Sequence, residues 1–545
     1  MRYETLRALN KGSASNADLA DKALRTLLHV RTPLDALIPS LLGAGRDVVL
    51  TGNPGDGKSH LARHLDDQGQ LRGAHFEPDL SASALEDVIE AWSAAAAAGR
   101  PSLICANEGP LLDALPALEA HPTLGPRAAE LRAQLGRLVA NRPEELAPEP
   151  QLAALVDLAD RHLGDPATVE RLLETVATDD FLPIDDADRE SSPSRNIELL
   201  FDAEPRARLA GYFAVAARAC GEHVTFRQLW GAVSEAVCGG MSSTQRAQDV
   251  RRRRSGAAVW RTPLALLLDA KDPGPISRGL VSGGDPLGVE DLELDERLWR
   301  TGGRGVGEWL VDLDSDTLPL PAERWAAGDP KGALQDFRDL KLLAAIAHRD
   351  GERLLQRLSP APGAGRAADA ELRGELLTGL RRLFIQPSDE GAAPPWLLAG
   401  APLWVSLSYE RPAGRGRWER PFVAAAAVAE EDIELLRPAR APWLRDALGP
   451  VPDVCWLRHR PSGVTLRVDA ALRAALRRAA TLDGPMVPPD VVVRFLARLS
   501  GWEEARWAGA GGACATLASP RGQLYTFDVR PTGTGWAYGV TDVGT

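Results

Sequence analysis

Residues 46–61 read RDVVLTGNPGDGKSHL, and this stretch decides the fold. Arg46 to Thr51 form a short β-rich run of the kind that makes a strand. It leads directly into Gly52-Asn53-Pro54-Gly55-Asp56-Gly57-Lys58-Ser59, which satisfies GxxxxGK[ST] in full. A helix is expected from Lys58 to about Asp66. The three glycines let the backbone fold with its N–H groups turned inward around an anion. The positive end of the following helix adds to that attraction. In such a loop the lysine reaches the β- and γ-phosphates and the hydroxyl ligates Mg²⁺. Gly52, Asn53, Pro54, Gly55, Asp56, Gly57, Lys58 and Ser59, with the adjacent His60, are therefore the expected binding residues for ATP with Mg²⁺, and Ser59 is the expected metal ligand. The loop does not distinguish ATP from GTP. Asp56 puts a negative charge close to phosphate, which is unusual and tolerable if its side chain points outward.

Hydrolysis needs a carboxylate near Mg²⁺ and a group that positions water. Ser102-Leu-Ile-Cys-Ala106 reads as a buried strand that ends in Asn107-Glu108-Gly109. This arrangement makes Glu108 the polarising carboxylate, assisted by Asn107 in the place where an aspartate is usual. The alternative makes Asn107 a sensor of the γ-phosphate and Asp79, after His75-Phe-Glu-Pro-Asp79, the metal-side carboxylate. Further on, Asp157, Asp160 and Arg161 mark a sensor position or a solvated acidic–basic face. Arg195, Arg206 and Arg208 read as surface arginines or as groups that touch the γ-phosphate. No nuclease constellation and no Ser/His/Asp or Cys/His triad follows from spacing.

Working outward, 74–80 reads as a further strand, 84–98 as a helix, and 152–158 as a strand or, given its alanines, a helix. A long helical region is expected from Pro110 to about Asn141, and another helix over 15–29. Strands alternating with helices predict an α/β fold, a parallel sheet with helices on both faces. Four regions follow: a phosphate-loop core with N-terminal helices over 1–165, a helical lid-like region over 166–270, an irregular and helical connection over 271–395, and a C-terminal α+β module over 396–545. In the last, the runs LWVSLSY, FVAAAAV, VCWLRHR, VTLRVD, QLYTFDV and WAYGVTDV look like strands, with helices near 470–481 and 489–499.

The chain of 545 residues is 44% hydrophobic and 25% charged, the balance of a soluble globular protein. No apolar run approaches the ~18–20 residues that span a bilayer, and the N-terminus has no apolar signal-peptide core. The five cysteines form no CxxC pair and no Cys/His cluster of metal spacing. A cytoplasmic location is expected. A net charge of −12 argues against a surface built throughout for nucleic acid. Arg251-Arg252-Arg253-Arg254 is the densest basic run, a contact for a nucleic-acid backbone or an acidic partner, or a solvated basic turn. Trp456 and His459 in WLRHR alternate like a strand, so core plus surface explains them.

Several segments in one order carry a resemblance: LTGNPGDGKSHL, LICANEGPLL, LVDLADR, SRNIELL, HVTFRQLWGAV followed by CGG, and DP…LDERLW. Over about residues 45–300 the chain resembles the ATPase (F component) of DNA-phosphorothioation-dependent restriction systems and related P-loop ATPases of bacterial anti-phage clusters. The resemblance implies an AAA+-like ATPase core with a helical lid, partners in a multi-protein defence complex, and DNA as the target. It puts Asn107 and Glu108 in the family's NEG position. One departure is SSPSRNIELL, which lacks the cysteines that precede this segment in the family, so no metal site is expected there. A homo-oligomer fits the resemblance. The competing readings are a nucleotide-gated scaffold with little turnover, motivated by Asn107 replacing aspartate, and a small-molecule kinase, which would share the loop.

Overall fold

The structure is a computed structural model of the whole chain. It describes residues 2–9, 22–71, 73–140, 149–182, 190–220, 222–254, 260–302, 320–348, 350–358, 366–384, 403–406, 423–437, 441–448, 454–481, 489–509, 513–518, 524–532 and 535–542. The chain divides into two compact units, 1–361 with 439–452 and 362–438 with 453–545.

The first unit is built on a four-stranded parallel sheet of β1 (Asp47–Thr51), β2 (His75–Glu77), β3 (Ser102–Cys105) and β4 (Ala153–Asp157), in the order β2-β3-β1-β4. Val48 pairs with Leu103 on one side and with Ala154 on the other. Because side chains alternate along a strand, β1 feeds two cores. Val48 and Leu50 pack with Leu34, Ile38 and Leu41 of α3 (Leu34–Gly43) and with Leu61 and Leu65 of α4 (Lys58–Asp67). Val49 faces the other way, against Trp92 of α5 (Leu85–Ala97), Leu115 of α6 (Glu108–Ala120) and Leu131 of α7 (Gly125–Ala140). Helices thus cover both faces, which buries strands that are apolar on both sides. Two shorter helices precede them, α1 (Arg2–Leu9) and α2 (Lys22–Leu28).

Asp47 anchors the start of the sheet. It is buried and accepts hydrogen bonds from Trp92 Nε1 and the Ser102 backbone N–H, each at 2.8 Å, and pairs with Arg127 Nε at 2.9 Å. Burial raises its pKa, while Trp92, Ser102 and Arg127 lower it.

A helical layer follows. It includes α8 (Pro166–Val176), α9 (Ser192–Leu199), α10 (Ala203–Cys220), α11 (Phe226–Cys238) and α12 (Ser243–Arg254), and continues to Leu358. One apolar cluster holds it together, with Tyr212 and Phe213 of α10 and Leu229 and Val233 of α11 fully buried; Leu6 of α1 belongs to it too. No helix among the described residues is long and apolar enough to cross a membrane.

The second unit contains β5 (Leu403–Ser406), β6 (Val423–Val428), β7 (Ile433–Leu436), β8 (Cys455–His459), β9 (Thr465–Val468), β10 (Ala513–Ala518), β11 (Leu524–Thr532) and β12 (Gly535–Asp542). They form two antiparallel sheets, β12-β11-β10-β6-β5 and β7-β8-β9. Its core joins Leu376 and Leu380 of helix Arg366–Phe384 to Leu457, Leu466, Leu476 and Phe495.

Several expectations change. The second unit starts at Pro362 and not at residue 396, because helix Arg366–Phe384 packs on helix Ala470–Thr481 so closely that a Cβ on Gly379 would stand 2.3 Å from the Leu476 carbonyl oxygen. Helix α1 and strands β7 and β10 were not expected. The long helix expected over 110–141 is two, α6 and α7, divided at the turn that contains Pro122. Of the helix expected over 15–29, residues 22–28 are helical; 10–21 lie outside the described residues, as do the linker positions 387–395.

Candidate functional site

The loop leaves the C-terminal end of β1 and enters α4. Gly52, Gly55 and Gly57 have φ of +134°, +97° and +87°, values that a side chain resists. Gly57 is the N-cap of α4 and supplies no capping side chain, so the first N–H groups of the helix lack a side-chain partner from the cap. Lys58 folds back over the loop: its Nζ donates to the Gly52 carbonyl at 2.8 Å and the Asn53 carbonyl at 2.9 Å. Burial lowers the Lys58 pKa, opposed by the charges of Asp56, Asp157 and Asp79. Ser59 Oγ donates to the Pro78 carbonyl at 2.9 Å, which ties the loop to the residue before Asp79.

Asp56 does not point outward. It is fully buried; its Oδ2 accepts the Asn53 N–H at 2.7 Å, and its Oδ1 shares a 2.7 Å hydrogen bond with His223 Nε2. The physical reason is local: a carboxylate three residues after Asn53 closes the loop onto itself, as such side chains do in turns, and a histidine from the helical layer then meets its charge.

That histidine opens the segment His223-Val-Thr-Phe-Arg-Gln-Leu-Trp230, which covers the loop. Thr225 caps α11 in a capping box with Gln228. The Arg227 backbone N–H donates to the Gly55 carbonyl at 3.2 Å. A Cβ on Gly55 would meet Thr225 Oγ1 and Arg227 Cβ, each at 3.2 Å, so only glycine fits there. Arg161, buried after β4, donates to the Asp56 carbonyl and lies 5.0 Å from the centre of the Phe226 ring. Burial pushes the Arg161 pKa down to about 10.

These elements enclose a cavity of about 350 Å³. Pro54 to Leu61 line one wall, with Asp79, Cys105, Asn107 and Arg161 opposite, and His29, Phe226, Arg227 and Trp230 complete it. Burial pushes the Cys105 thiol up to about 12, so it is an apolar wall group and not a nucleophile. His60 is pushed down to about 4 by burial and by the neighbouring His29 and His64.

The strand-end residues separate. Asn107 is the N-cap of α6, yet its side chain makes no capping bond, and it lines the cavity with Asp79. Glu108 is exposed in the first turn of α6 and is not among the residues lining the cavity. Its charge acts on Asp157, whose carboxyl is pushed up to about 6, chiefly by burial. Because β3 lies between β1 and β2, the ends of β2 and β3 flank the loop together on one side and Asp157 on the other; Asn107 and Glu108 follow the same strand and diverge only as α6 begins.

The remaining arginines serve the helical layer. Arg208 pairs with Glu204 at 2.6 Å and donates to the Ile346 carbonyl at 3.0 Å; Arg206 donates to the Leu200 and Phe201 carbonyls, and Arg195 pairs with Glu198 at 3.1 Å. Asn196 is a buried staple that donates to the Val237 and Arg261 carbonyls and accepts from Trp260 Nε1 at 3.1 Å. Arg251 and Arg252 are exposed on α12, while the side chains of Arg253 and Arg254 lie outside the described residues. His459 is buried, 2.8 Å from Ser462 Oγ, and Trp456 is in the same core strand.

Residue spacing does not single out His223, Arg227 or Trp230 as site residues; the HVTFRQLWGAV segment signals them only as part of a resemblance. Comparisons with protein-family models, curated proteins and solved structures give no match, so the site is read from its own geometry.

Proposed function

We propose that this chain binds ATP with Mg²⁺ at Gly52–Ser59 and hydrolyses it, as an AAA+-like P-loop ATPase in a DNA-directed defence assembly. The observation that carries the binding reading is the loop itself. Three glycines in left-handed conformations, an uncapped helix start and the Lys58 ammonium converge at the C-terminal end of a parallel strand. In this reading Lys58 holds the β- and γ-phosphates and Ser59 ligates Mg²⁺. Asp79 is the metal-side carboxylate, since it shares the cavity with Ser59 and follows Pro78, which Ser59 contacts. Asn107 orients the γ-phosphate or the attacking water. Glu108 would act only after moving toward the cavity. Arg227, exposed at the rim, is an added phosphate contact. The lid reading is supported by residues 223–230, which reach the loop from the helical layer.

The test is MgATP turnover by the purified chain, with and without duplex DNA, for wild type, Lys58→Ala, Asp79→Asn and Glu108→Gln. Lys58→Ala should abolish binding and turnover, and Asp79→Asn should suppress turnover more than Glu108→Gln. No turnover under any condition, with partner proteins included, would remove the enzyme reading. A switch that retains nucleotide is the second reading. It is favoured by the self-closed loop, where Asp56 occupies the Asn53 N–H and Lys58 rests on the loop carbonyls. Stoichiometric nucleotide that survives purification, with negligible turnover, would select it.

A further inference from the structure

We infer that His29, Asp35 and His64 form a transition-metal site, of the class that takes Zn²⁺, against the helix that follows the phosphate loop. The three residues come from different elements: His29 follows α2, Asp35 lies in the first turn of α3, and His64 is on α4. One ligand atom from each lies within 4.8 Å of the other two. His29 Nε2 and Asp35 Oδ1 are 2.6 Å apart. The His29 and His64 rings stack at 3.6 Å with planes 9° apart, and His60 lies one turn earlier on α4, 5.6 Å from His29.

Three features favour an ion over a plain imidazole stack. His64 Nδ1 is buried and has no hydrogen-bond partner among the described residues, the state of a nitrogen whose natural partner is a cation. Asp35 is oriented by its other oxygen, which accepts from the Thr32 N–H at 2.7 Å and Thr32 Oγ1 at 3.1 Å, so Oδ1 is held on the histidine side. Nearby positive charge is already engaged: Arg25 pairs with Asp67 at 2.7 Å and Arg171 donates to the Arg31 carbonyl at 3.0 Å. Two imidazoles and one carboxylate, with water in the open position, are a donor set that suits Zn²⁺. Ligation exchanges the ring stack for converging lone pairs, with His64 turning about its side-chain torsions. The ion would join residues 29–35 to α4. His29 also lines the cavity of the phosphate loop, so the same ion would stiffen one wall of that cavity. The inference does not depend on what the cavity binds.

The test uses the full chain, stripped of metal by a chelator and titrated with Co²⁺ as the probe. Wild type should develop saturable visible d–d absorption at one ion per chain, bleached by Zn²⁺. Asp35→Asn should weaken binding by roughly tenfold or more, and His64→Gln should abolish it. His75→Ala, outside the cluster, should keep it. Added Zn²⁺ should also raise the unfolding temperature of wild type but not of His64→Gln, a readout independent of the cobalt spectrum. The assignment is overturned if wild type shows no saturable band, if the band survives in His64→Gln, or if cobalt–thiolate charge-transfer bands put the ion on cysteines.

Discussion

Gly52→Ala is the substitution whose effect follows most directly from the loop. Gly52 has φ +134°, and an added Cβ would stand 2.9 Å from both the Ala159 backbone nitrogen and Asp56 Oδ2. Neither neighbour is free to give way. The Ala159 N–H is held by Asp157 Oδ1 at 2.9 Å, and Asp56 Oδ2 by the Asn53 N–H at 2.7 Å. The backbone conformation alone costs a residue with a Cβ about 1–3 kcal/mol. Relieving the two contacts shifts the loop and raises the total to about 2–4 kcal/mol. Because the strain falls on the loop, an anion bound there should lose roughly 30- to 1,000-fold in Kd. The control is Gly45→Ala, at φ +78° with nothing within 4 Å; it should cost about 1–2 kcal/mol of stability and leave binding intact. The assay is titration with a fluorescent ATP analogue and Mg²⁺, paired with thermal unfolding so that only folded protein is scored. A folded Gly52→Ala protein whose Kd stays within a factor of about three of wild type, under 1 kcal/mol, would refute the reasoning.

Three further outcomes are expected. Asp47→Ala should cost about 3–5 kcal/mol in urea denaturation, because Trp92 Nε1, the Ser102 N–H and Arg127 lose their buried partner; Asp47→Asn should cost less. Asp157, raised to about 6 in the folded chain from 3.8, holds its proton more tightly when folded, so its contribution to stability is full below about pH 3.8 and is lost as pH rises through 6. Asp157→Asn keeps an acceptor for Ala159 and should raise the unfolding temperature at pH 8, with little change at acid pH; equal differences at both pH values would contradict the sign. Gly379→Ala should destabilise the second unit by about 1–3 kcal/mol through its contact with Leu476, whereas Gly374→Ala, on the same helix with open space around it, should gain up to about 1 kcal/mol.

Local chemistry made much of the first unit legible. Val48, Val49 and Leu50, apolar on both faces of a strand, implied a sheet covered on both sides, and GxxxxGK[ST] placed the turn and helix that follow. The second unit was less legible: β7 is a four-residue edge strand, and β10, interior between β11 and β6, becomes a strand through those two partners.

The site itself shows the division. The turn at Gly52, Gly55 and Gly57 and the helix that starts at Lys58 and Ser59 were legible in the sequence, since they depend on backbone freedom and residue type at fixed spacing. Spacing favoured Glu108 over Asp79; the strand order, with β3 between β1 and β2, brings Asp79 and Asn107 to one cavity, and the start of α6 leaves Glu108, one residue after Asn107, exposed outside it. The burial of Asp56 against His223 joins residues 167 positions apart, and His29, Asp35 and His64 meet across three helical elements. Spacing along the chain encodes local geometry. It does not encode which strand ends become neighbours or which charge a distant helix will bring, and those were decided by packing.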